Sequence, residues 1–73
     1  MADDLTDPDQ WIAAFAAQLG VDPPNAATVE TLLELAGVAA HASARTAAPI
    51  ACWLVGRAGL DAPAALERAR EVV

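Results

Sequence analysis

Apolar positions recur every three to four residues in four stretches of the chain, and polar or proline-bearing breaks separate them. In the first stretch Trp11, Ile12, Phe15, Ala16 and Leu19 fall on one side of a helix. Thr6 or Asp7 can cap that helix, Pro8 suits its first turn, and Asp7 and Asp9 are favoured at its positive end. Gly20 predicts a left-handed stop, with Val21 folding back on the last turn. Asp22-Pro23-Pro24-Asn25 then predicts a stiff loop, because neither proline can continue a helix.

The second stretch predicts a helix from about Ala26 to Ala44, capped by Asn25 or Thr28. Thr31 and Glu34 also have capping-box spacing. Its expected buried face is Val29, Leu32, Leu33, Ala36, Ala40 and Ser43, and a separate stripe carries Glu30, Glu34, Gly37, His41 and Arg45. Thr46-Ala47-Ala48-Pro49 restarts the chain ahead of a short third helix over residues 50–58. That helix is apolar almost all round, which predicts a central position. Gly59 reads as its stop, and Asp61-Ala62-Pro63 opens a fourth helix with an apolar face of Leu66, Ala69, Val72 and Val73. No run alternates with a period of two, so no strand is expected.

The expected fold is therefore all-α, a compact single-domain four-helix bundle with a short, apolar third helix. Residues 1–5 read as a flexible acidic tail, and residues 6–73 as one helical domain. Alanine supplies 20 of the 73 residues. It is the best helix former and lets helices approach closely. The core is expected to rest on Trp11, Phe15, Leu19, Leu32, Leu33, Trp53, Leu54 and Leu66. A domain this small buries only about 60% of its unfolded surface, so an oligomer or partner domain would add stability.

Charge narrows the function classes. The net charge is -6, there is no lysine, and the four arginines are scattered. That argues against a nucleic-acid binder and against a basic membrane-surface helix. The ten-residue apolar run Ala47–Gly56 is too short to span a bilayer, and the acidic start does not resemble a secretion signal. The single Cys52 cannot form an internal disulfide, which points to a reducing cytoplasm.

Candidate chemistry is sparse. His41, the only histidine, shares its stripe with Glu34 and Arg45. Arg45 is expected in the last turn of the second helix, where a cation suits the dipole and could clamp an anion. Pro49 follows at the turn into the third helix, so His41, Arg45 and Pro49 form the candidate binding face. Cys52 reads as packing rather than as a nucleophile, since nothing places a base beside it. Trp53 and Arg57 have cation–π spacing. No set of residues has metal-ligand spacing, and neither a cofactor nor a catalytic residue is expected.

The order Trp11-Ile-Ala-Ala-Phe-Ala-Ala-Gln-Leu-Gly-Val-Asp-Pro23, Leu32-Leu-Glu-Leu-Ala36, Val38-Ala-Ala-His-Ala-Ser-Ala-Arg-Thr-Ala-Ala-Pro49 and Trp53-Leu-Val-Gly56 resembles a small actinobacterial domain family of unknown function. The resemblance covers roughly residues 8–60. It implies a domain found alone or fused behind a MobA-like molybdenum cofactor guanylyltransferase, with free-standing copies associated with formate dehydrogenase and its accessory factors. The pattern departs at Gly37-Val38, where a charged pair often stands in that family. The implied function is a non-enzymatic accessory or interaction module, and a homodimer is conceivable. Two alternatives stand beside it: a small protein that binds an anionic ligand through His41 and Arg45, and a structural homo-oligomeric helical domain.

Overall fold

Short polar side chains take up orphan amide groups at three helix starts in the computed structural model, which describes residues 7–72. Asp7 opens α1 (Pro8–Leu19), where its Oδ1 accepts from the Asp9 amide at 3.3 Å. Asn25 opens α2 (Ala26–Ala42), and its Oδ1 accepts from the Thr28 amide at 2.8 Å. Asp61 opens α4 (Ala62–Glu71), accepting from the Ala64 amide at 2.9 Å. Each such cap stabilises its helix by about 1 kcal/mol. Thr46 precedes α3 (Ala47–Ala58) without a side-chain cap, and Pro49 lies in the first turn, where its missing N–H costs nothing. The protein is all-α, a single small domain, with no strand among the described residues.

The stops follow the same logic. Gly20 and Gly59 adopt φ of 75° and 73°, a region only glycine enters freely. The Val21 amide donates to the Ala16 carbonyl at 3.0 Å and the Gly20 amide to Ala17 at 3.1 Å, a Schellman-type closure. α2 ends two residues earlier than expected, at Ala42, so Arg45 lies in the connection to α3 and not in the last turn. α3 begins three residues earlier than expected, at Ala47. Thr31 does not form a capping box. Its hydroxyl donates to the Ala27 carbonyl at 3.0 Å from inside α2. The expected tail over residues 1–5, Thr6 and Val73 lie outside the described residues.

α2 is the centre of the packing, with α3 and α4 both laid against it. This corrects the expectation that α3 is central: α3 has no fully buried residue. The core is Leu35, 2% exposed, with Ala65 and Leu66 of α4, and Val38, Ala51, Cys52, Val55 and Ala69 packed around them. α1 makes no comparable interface with any other helix, and Ala16 is its one buried residue. The overall extents are 44 × 23 × 18 Å. The radius of gyration is 13.2 Å, where a chain of this length packed to the usual density has about 11 Å.

Most of the expected large anchors are not in the core. Trp11, Phe15, Leu19, Leu33, Trp53 and Leu54 are all exposed, Leu33 to 67%. Leu66 is buried and Leu32 is half-buried. On α2 the buried face is Leu35 with Val38, about 140° round the helix from the expected face of Val29, Leu32, Leu33 and Ala36. The cause is alanine. Ala65 and Ala69 of α4 and Ala51 of α3 let backbones approach α2 closely, and that narrow space admits one leucine from α2 and one from α4. The bulky side chains are left on the outer faces.

No helix among the described residues is long and apolar enough to cross a membrane.

Candidate functional site

Where three alanine-rich helices meet, removal of side-chain volume leaves space. An open apolar groove of about 670 Å³ lies between α2, α3 and α4. Seven of its lining residues are alanine, among them Ala39 and Ala42 of α2, Ala47 and Ala58 of α3, and Ala69 of α4. Leu35 and Val55 contribute from the core side, while Ile50, Leu54, Leu60 and Val72 stand at the rim, exposed. Arg68 is the one charged residue that lines it. No residue of α1 lines the groove.

The residues singled out from the sequence lie elsewhere. His41, Arg45 and Pro49 are all exposed, and none of the three lines the groove. His41 sits in the last turn of α2, and neither its ring nor the Arg45 guanidinium has a hydrogen bond or ion pair among the described residues. The polar stripe therefore stands on the surface, outside the apolar groove. Cys52 is half-buried against the core, as its apolar neighbours predict, while His41 is exposed on another helix. Trp53 and Arg57 do not form the expected cation–π contact; the aromatic contact present is Trp11 with Phe15, ring centroids 5.1 Å apart.

Glu34 has a different partner from the one its stripe suggests. Its Oε2 accepts from Arg70 Nη2, which ties α2 to α4, and Arg70 also lies 4.0 Å from Glu67. Both ends of the Glu34–Arg70 pair are about half exposed, so the pair contributes roughly 0.2–1 kcal/mol. The two residues stand 36 positions apart, and only the register of α4 on α2 brings them together. No group of three or more His, Cys, Asp or Glu residues placed to hold a metal ion occurs among the described residues.

The outer face of α3 is the second notable surface. At 100° per residue, Pro49, Trp53 and Arg57 follow one another at four-residue steps along the side away from Ala51 and Val55. Trp53 is 62% exposed, with exposed Ile50 beside it. Trp53 does not line the groove, and the two surfaces adjoin at Ile50.

Comparison with known proteins places this chain by sequence. Residues 3–73 match the model of the family described as Domain of unknown function (DUF6457), and the chain belongs to that family. No curated protein matches it, and no solved structure does.

Proposed function

We propose that this DUF6457 member is a non-catalytic accessory module that acts by docking on another protein through the outer face of α3. The observation that supports this most is the indole of Trp53, held 62% exposed on a helix closed by the left-handed Gly59. Tryptophan and arginine dominate the energetics of protein interfaces, and Trp53 lies between Pro49 and Arg57 on the same face. Arg45, exposed in the connection just before α3, is a second cation close in sequence to that face. We propose as partner the MobA-like guanylyltransferase, or a formate dehydrogenase accessory factor, that the sequence resemblance implies, in the cytoplasm. The anionic-ligand alternative requires converging polar groups. Those it depends on, His41 and Arg45, are exposed and lie outside the groove.

Titration calorimetry against the MobA-like enzyme of the same organism tests the reading. Binding is expected, weakened at least about tenfold by Trp53→Ala and by about 1 kcal/mol by Arg45→Ala. Circular dichroism should be unchanged in both, since neither side chain is buried. No heat with that enzyme and none with the accessory factors would remove the proposal.

A further inference from the structure

We propose that the groove between α2, α3 and α4 is filled by helix α1 of a second copy of this chain, each copy lending its α1 to the other. This concerns a surface other than the Trp53 face, so either reading can fail alone.

The first support is that α1 is a helix in need of cover. A 12-residue helix without tertiary packing is marginal in water, however well capped. Yet α1 makes no interface with a helix of its own chain comparable to those of α3 and α4 on α2. It carries Trp11, Phe15 and Leu19 in exposed positions at four-residue steps, with the first two rings already in contact. An amphipathic helix with anchors at such spacing is what an apolar groove receives.

The second support is complementarity. The groove has a floor of alanine and an exposed apolar rim of Ile50, Leu54, Leu60 and Val72. Small residues on one side and large ones on the other interdigitate, which two alanine faces or two bulky faces do not. Charge agrees. Residues 1–44 contain seven acids and no Lys or Arg, and all four arginines lie at 45 or beyond. Asp7 and Asp9 head α1, while Arg68 lines the groove.

The third support is area. Three large side chains of α1 (Trp11, Phe15, Leu19) and four of the rim (Ile50, Leu54, Leu60, Val72) are each 39–71% exposed in the single chain, and a standard interface removes roughly 800 Å² per partner from water. A reciprocal exchange is isologous, so both grooves and both α1 stripes close within one dimer and no chain of copies can grow.

The test is sedimentation equilibrium of the full chain from micromolar to millimolar concentration, alone and with two variants. Phe15→Glu charges the α1 stripe, and Leu54→Glu charges the groove rim. Both side chains are exposed in the single chain, so each variant should keep its helical spectrum. The native chain should sediment with the mass of two copies, and each variant should raise the dimer dissociation constant at least about tenfold. An equimolar mixture of the variants retains one intact α1 and one intact groove, so it should recover part of the association. A native chain that stays at the mass of one copy throughout overturns the proposal. So does a dimer that Phe15→Glu breaks and Leu54→Glu does not, because that is α1 pairing with α1. A dimer indifferent to both variants overturns it as well.

Discussion

Helices α1 and α4 invert the usual relation between side-chain size and burial. α1 carries Trp11, Ile12, Phe15 and Leu19, yet only Ala16 is buried. α4 carries one large apolar residue before its last turn, yet Ala62, Ala65 and Leu66 are all buried and Ala69 packs beside them. What separates them is approach distance. The small face of α4 lets it lie close on α2, so few atoms leave water but nearly all of them make contact. α1 holds more apolar surface and has no facing helix to take it. In this chain alanine selects which faces meet, and the large residues mark surfaces still available for other contacts.

The largest expected effect attacks the packed side of that comparison. Leu35→Ala removes the most buried side chain, and a cavity at an alanine-walled site should cost about 2–5 kcal/mol, read as a lowered midpoint in urea. For a domain of this size that is much of the total stability. Ala65→Leu tests the approach distance itself. Extra methylene groups in the α2–α4 contact should cost about 1–3 kcal/mol in thermal unfolding, although leucine is no poorer in the buried environment than alanine. Overpacking that leaves the midpoint unmoved would show that the contact is loose. Glu34→Gln should cost about 0.2–1 kcal/mol, and the loss should shrink in high salt, since the Arg70 partner is half exposed. The smallest change is expected from Leu33→Ala, two residues from Leu35 on the same helix. Within about 0.5 kcal/mol of the native chain is the expected result by the same urea measurement.

Leu33 and Leu35 also show how far the sequence carries. Helix number, three N-caps and two glycine stops were legible because they depend on local chemistry: Asp7, Asn25 and Asp61 as acceptors, Gly20 and Gly59 as left-handed stops. The buried side of α2 was not legible. Val29, Leu32 and Leu33 make one apolar side and Leu35 with Val38 another, so period alone favours the bulkier and wrong one. The deciding information sits on α3 and α4, in alanines that carry little hydrophobic weight individually. The groove was hidden for the same reason, because it is built from absent volume rather than from a motif. The Glu34–Arg70 pair depends on how α4 registers against α2, which no local pattern encodes. His41, Arg45 and Pro49 share a stretch of sequence, but the end of α2 at Ala42 sets Arg45 in a connection and leaves all three on the surface.

Amide hydrogen exchange on dilute protein, below any self-association, tests the central claim most directly. The account predicts the slowest exchange at Leu35–Val38 of α2 and at Leu66–Ala69 of α4, approaching the global unfolding limit, with the α1 amides exchanging far faster through local opening. Protection of the Phe15–Leu19 amides equal to that of α2 and α4 would contradict it, because α1 would then belong to the same cooperative core.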